Sequence, residues 1–150
     1  MVAVISCSHF PDDERIYHRE ISALLEKNYV IKYFTLSDLK TNLSQPGIDH
    51  KNYDLSKVTS DEYLECVEKD LIKEPPKVVH IHEPELFPVA IKMKKLFNTK
   101  IVYDVHEDYI SMIDTFSRLT QPLKNIKIKY WKYKETVSYT HLTLPTTYEV

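Results

Sequence analysis

The chain has 150 residues, 43% hydrophobic and 28% charged, with a formal net charge of -2, which fits a globular protein and points to no nucleic-acid partner. Cys7 and Cys66 are too few and too widely spaced for a disulfide framework or a zinc knuckle, so a reduced, cytosolic setting is expected. No apolar run approaches the ~20 residues of a membrane span, and Met1 to Ser6 lacks the basic lead of a signal peptide.

Val2 to Ile5 is a short apolar run that reads as a buried strand. A turn-rich segment, Cys7 to Asp13, leads into a helix over about 13–27. Its apolar stripe is Tyr17, Ile21, Leu24 and Leu25, at i, i+4, i+7 and i+8. Asp12 or Asp13 can cap its first turn, and Asn28 can end it in a left-handed conformation. Tyr29 to Phe34 reads as a second strand. Residues 35–58 are polar and read as a loop with room for one short strand. They hold Gly47, the only glycine in the chain. A P-loop and a GxGxxG turn are therefore both excluded, and any phosphate must be held by side chains or ordinary helix ends.

Thr59-Ser-Asp-Glu62 has the capping-box spacing that opens a helix, here running to about Lys73 and stopped by Pro75-Pro76. Lys77 to His82 reads as a buried strand. After Pro84 comes a helix with Leu86, Val89, Ala90, Met93 and Phe97 on one stripe, and Lys100 to Val105 is the next strand. A last helix is expected over about 121–134, with Leu119, Leu123, Ile126, Tyr130 and Tyr133 on one face. Its five lysines spread round most of the circumference, with Trp131 beside the apolar stripe. They read as a solvated face, with contact to anionic lipid as the functional alternative. Strands alternating with helices predict an α/β fold, a doubly wound parallel sheet.

The tail reads differently. Val137 to Thr146 is the translation of GTC TCT TAT ACA CAT CTG ACG CTG CCG ACG, which resembles a transposon end joined to a sequencing adapter. Residues 1–136 are therefore expected to be native and 137–150 a non-native read-through tail that packs poorly.

In an open parallel sheet, ligands bind at the carboxyl ends of strands where strand order reverses. Three polar segments fall there: His9 to Arg15, His82 to Glu85, and Asp104 to Asp108. In the common order 3-2-1-4-5 they become neighbours. His106, flanked by Asp104 and Asp108, is the leading candidate. His80 alternates with Ile81 and reads as a packed sheet histidine, whereas His82 stands between a packing and a site role. Asp12, Asp13 and Glu14 can serve a helix dipole, and Arg15 and Arg19, one α-turn apart, read as solvated charges.

Ser8-His-Phe-Pro-Asp-Asp-Glu-Arg-Ile-Tyr-His-Arg-Glu20, Val78-Val-His-Ile-His-Glu-Pro-Glu-Leu-Phe-Pro88 and Val102-Tyr-Asp-Val-His-Glu-Asp-Tyr109 together resemble family-4 retaining glycosyltransferases. The resemblance implies a Rossmann-like N-terminal, acceptor-side half of a GT-B fold, lying across a cleft from a donor-binding half. The reaction implied is sugar transfer from a nucleotide donor to an acceptor hydroxyl with retention, without metal or other cofactor. His106 would approach the donor sugar. His9, Asp13, Arg15, His82, Glu83, Glu107 and Asp108 would bind substrate. The implied partners are the nucleotide sugar and an acceptor glycan or glycolipid. The implied location is cytoplasmic, with the inner face of the membrane as the alternative if the 121–134 helix makes a peripheral contact. Lacking the donor half, the chain itself is expected to be inactive. The first loop has no glycine where many members have a glycine-rich turn.

Three other readings stay open. One is a metal-dependent hydrolase using His80 and His82 with Asp104, His106 and Asp108, since alternate strand residues share a face. The others are a non-enzymatic flavodoxin-like binding domain and another GT-B enzyme such as a sugar-nucleotide epimerase.

Overall fold

Five parallel strands, β1 (Val2–Ile5), β2 (Ile31–Leu36), β3 (Ile48–Tyr53), β4 (Val78–Ile81) and β5 (Lys100–Tyr103), pair in the order β3-β2-β1-β4-β5. The computed structural model describes residues 1–41, 43–104, 122, 123, 125, 128 and 129. The chain divides into two units, Met1–Asp104 and Val105–Val150. In the second unit the described residues are Pro122, Leu123, Asn125, Ile128 and Lys129, all helical. The other residues of the helix expected over 121–134, including all of its lysines but Lys129, the boundary at 136 and the 137–150 tail lie outside the described residues. Among the described residues no helix is long and apolar enough to cross a membrane.

The fold of the first unit is the doubly wound α/β arrangement that the alternation of elements predicts. The register places Val2 beside Ile31 and Val78, and Val4 beside Tyr33 and His80. One sheet face therefore carries Val2, Val4, Ile31 and Tyr33, which bury Ile16 and Ile21 of the first helical region. The opposite face carries Ile5, Phe34 and Ile81. There Tyr63 of α2 (Ser60–Lys73) reaches the Ser6 carbonyl with its hydroxyl at 2.8 Å, and Phe87 of α3 (Phe87–Phe97) packs edge-on against Tyr103. All four β1 residues are buried, because a central parallel strand is covered on both sides.

Local chemistry accounts for most boundaries. Thr59 and Glu62 close the capping box: the Glu62 amide donates to the Thr59 hydroxyl at 3.3 Å and the Thr59 amide to the Glu62 carboxylate at 2.8 Å. Asn28 (φ 60) and Asn98 (φ 54) turn left-handed after the helices they follow. Gly47 sits at φ +90 with its carbonyl accepting from Ile31 at 2.8 Å. A β-carbon there would meet a Leu25 methyl at 3.0 Å, a contact to which that leucine must yield, so it is the positive φ above all that calls for glycine.

Several expectations shift. β2 starts at Ile31 rather than Tyr29, because the left-handed Asn28 leaves Tyr29 and Val30 half exposed before pairing begins. The 35–58 stretch contains a full six-residue strand, β3, on the sheet edge. Pro84–Leu86 forms a 3-10 turn before α3, and Phe97 leaves the buried stripe to lie 39% exposed. The largest correction concerns the helix expected over 13–27. It is a π-helical segment, Ile16–Ile21, followed by a short α1 (Ser22–Glu26).

Candidate functional site

The loop after β1 is organised by a buried carboxylate from the loop after β4. One oxygen of Glu83, a residue only 1% exposed, accepts from the Ser6 hydroxyl at 2.7 Å, the Ser8 hydroxyl at 2.8 Å and the Ser8 amide at 3.0 Å. Three donors on one oxygen offset much of the cost of burying the charge. His9 stands over this arrangement, its Nε2 at 3.8 Å from Glu83 and its Nδ1 at 3.4 Å from Asp13. Asp13 also accepts the amides of Arg15 at 2.9 Å and Ile16 at 3.0 Å. Partial burial pulls the Asp13 carboxyl upward, but those amides and His9 outweigh it and hold the group below its usual range. Burial first, then the negative charge of Glu83, pushes the Cys7 thiol far up, which disfavours its thiolate form.

The second part of the edge depends on the π-helical segment. Its amides reach back five residues, Glu20 to the Arg15 carbonyl at 3.0 Å and His18 to the Asp13 carbonyl at 3.3 Å. On an α-helix, residues five apart point about 140° from each other. The wider π turn brings them onto one side. Ile16 and Ile21 thus enter the core together, and Arg15 and Glu20 come together beside β4 and β5, with Arg15 Nε at 3.6 Å from Glu20. Arg15 also binds Asp104 at 2.7 Å.

On the sheet below, His80 and His82 share a face, their ring centroids 4.4 Å apart. The amide of Asp104 donates to the Ile81 carbonyl at 3.0 Å, which sets Asp104 beside His82. Glu20 Oε2 lies 3.8 Å from His80 Nε2 and 3.6 Å from His82 Nε2. One ligand atom from each of Glu20, His80, His82 and Asp104 lies within 4.8 Å of the others. Burial, followed by the hydrogen bond and negative charge of Asp104, raises the Glu20 carboxyl to about 8 against the opposing pull of Arg15. At neutral pH Glu20 is therefore mainly a proton donor, and the cluster can move a proton or hold a cation.

The structure thus brings the first two polar segments, and the start of the third, to one edge at the switch between β1 and β4. His9, Asp13 and Arg15 face solvent in part, with side chains 28%, 25% and 44% exposed. His82 and Glu83 lie beneath them, each 1% exposed. His106, Glu107 and Asp108 lie outside the described residues. So does the question of whether His106 opens on the same edge as His9.

Two readings of single residues change. Arg15, expected as a solvated charge paired in spacing with Arg19, instead holds Asp104, while Arg19 pairs with Glu14 at the surface. His80, expected to be a packed sheet histidine, joins His82 and Glu20. Glu20 was not singled out by the sequence at all. An α-helical wheel separates it from Arg15, and only i, i+5 spacing would have found it.

A second polar recess of about 330 Å³ lies at the ends of β2 and β3, lined by Ser37, Leu39, Asn52 and Asp54 among others. Behind it Thr35 donates to Asn52 at 2.8 Å and lies 2.9 Å from His50 Nε2, so the His50 ring carries its proton on that nitrogen. The first unit is a Rossmann-like domain with a polar carboxyl edge. Known family models and curated proteins give no match to this chain.

Proposed function

We propose that the chain carries the acceptor-side half of a GT-B glycosyltransferase, which moves a sugar from a nucleotide donor to an acceptor hydroxyl with retention. The carrying observation is the shared edge. His9 to Arg15, His82 to Glu85 and Asp104, which hold the resemblance, meet at the carboxyl ends of β1, β4 and β5, where an open sheet binds ligands.

In this reading His9, Asp13 and Arg15 contact substrate from the loop rim, and Glu83 and His82 hold that rim in place from beneath. His106, with Glu107 and Asp108, belongs to the segment nearest the donor sugar. Catalysis would come chiefly from stabilising the leaving diphosphate, since the front-face reaction asks little of an enzyme nucleophile. The acceptor is a glycan or glycolipid, met on the cytoplasmic side and at the inner membrane face if the 121–134 helix touches lipid.

The test is sugar transfer by this domain joined to a donor-binding half. His106→Ala is expected to lower kcat by about 10²–10³, the usual cost of one polar partner of a transition state, with the thermal transition unchanged. Transfer at full rate in that variant would overturn the role given to His106. Failure of the joined protein to transfer or bind any nucleotide sugar would overturn the reading as a whole.

A further inference from the structure

The cluster on the β4–β5 face has a composition that sugar transfer does not require. Two imidazoles and two carboxylates come from three separate pieces of chain, namely the π-helical segment, β4 with its following loop, and the end of β5. We propose that Glu20, His80, His82 and Asp104 form a binding site for one late first-row divalent cation, zinc above all. This inference does not rest on the glycosyltransferase reading.

Ligand type and spacing carry it. Zinc takes four ligands from imidazole nitrogen and carboxylate oxygen at about 2.0–2.2 Å, which sets ligand atoms about 3.4 Å apart in a tetrahedron. The four atoms here are within 4.8 Å of one another, so side-chain adjustments on the order of an ångström close the site. Paired imidazoles favour zinc, cobalt or nickel over magnesium or calcium, which select all-oxygen cages. An ion can enter from solvent, since the side chains of Glu20, Asp104 and His80 are 23%, 27% and 13% exposed.

Supporting groups are present as well. Arg15 holds Asp104 at 2.7 Å, an outer contact of the kind that orients a ligating carboxylate. The backbone of Glu20 is fixed by its bond to the Arg15 carbonyl at 3.0 Å. Arg15 is also the cation an incoming ion must partly displace from the two carboxylates. A bound ion would tie the π-helical segment to the ends of β4 and β5, raising the melting temperature in proportion to occupancy.

The full chain, stripped with a chelator and dialysed, is titrated with Co²⁺ and then Zn²⁺. The expected result is one ion per chain, visible d–d bands of tetrahedral cobalt that zinc abolishes, and a rise in Tm with zinc. Glu20→Gln and His80→Gln should weaken uptake by more than the roughly 10–100-fold that loss of an outer-shell partner costs. His18→Gln, on the exposed side of the same segment, should leave it unchanged. Glu20→Gln is nearly isosteric, and far-UV circular dichroism of that variant checks that the fold persists. Should His80→Gln fail to fold, zinc-induced shifts of the His80 and His82 ring signals in the parent chain decide the matter. Absence of stoichiometric uptake by the folded chain overturns the proposal. So does uptake that Glu20→Gln leaves intact, or zinc shifts confined to other histidines. These outcomes are independent of whether a joined protein transfers sugar.

Discussion

The π-helical segment Ile16–Ile21 and helix α2 both lie on the sheet, but they are held there by different means. α2 carries its own start signal in the Thr59–Glu62 capping box and an exposed Glu65–Lys69 pair, with Tyr63, Val67 and Leu71 buried beneath. The π-helical segment starts on the Asp13 carboxylate, which accepts the Arg15 and Ile16 amides, but it has no reciprocal capping box and gives up regular α-helical hydrogen bonding. Its geometry is maintained by what it touches: two fully buried isoleucines on one side, and the Arg15–Asp104 and Glu20–histidine contacts on the other. A helix that costs more locally persists because tertiary contacts over-determine it, and such turns gather at functional sites.

The largest expected effect tests that dependence directly. Ile21→Ala removes a side chain at 0% exposure that anchors the π turn, and should cost about 2–5 kcal/mol in urea unfolding. A loss smaller than that of the α2 cap would break the comparison.

The next effect is a pH dependence, smaller because the Glu20 carboxyl is partly open to solvent. Its value in the folded protein is raised to about 8 from an ordinary 4.5, so the folded state binds more protons than the unfolded chain between those values. The stability it contributes is fully present below about 4.5 and is lost as pH rises through about 8. Glu20→Gln cannot ionise, so its melting temperature should fall less than that of the parent between pH 5 and pH 9. Parallel curves would show that burial and Asp104 do not raise Glu20 as described.

The smallest effect belongs to the self-sufficient helix. Thr59→Ala should cost about 1 kcal/mol, the usual loss on removing an N-cap, and should leave the Arg15–Asp104 pair and the Glu20 pH dependence untouched. A cap variant that altered the pH profile would couple two regions that this comparison keeps apart.

What the residues determined by themselves is what short-range physics decides. The apolar run Val2 to Ile5 could only be a buried strand, and it is. The capping box, the Pro75-Pro76 stop and the left-handed Asn28 act within a few bonds, so their outcome follows from neighbours in sequence. The alternation of strands with helices sufficed for a parallel doubly wound sheet and for the meeting of its first two polar segments and Asp104 at one edge. Tertiary structure alone decided the rest. The polar run Ile48 to Tyr53 becomes a strand only because β2 offers it an edge to pair with. Glu83 becomes the buried organiser of the first loop only because three donors, more than seventy residues away, converge on it. The π turn places Glu20 between Arg15 and two histidines because burying Ile16 and Ile21 together outweighs regular α-helical bonding. That balance between distant packing and local hydrogen bonds cannot be read from a wheel drawn at 3.6 residues per turn.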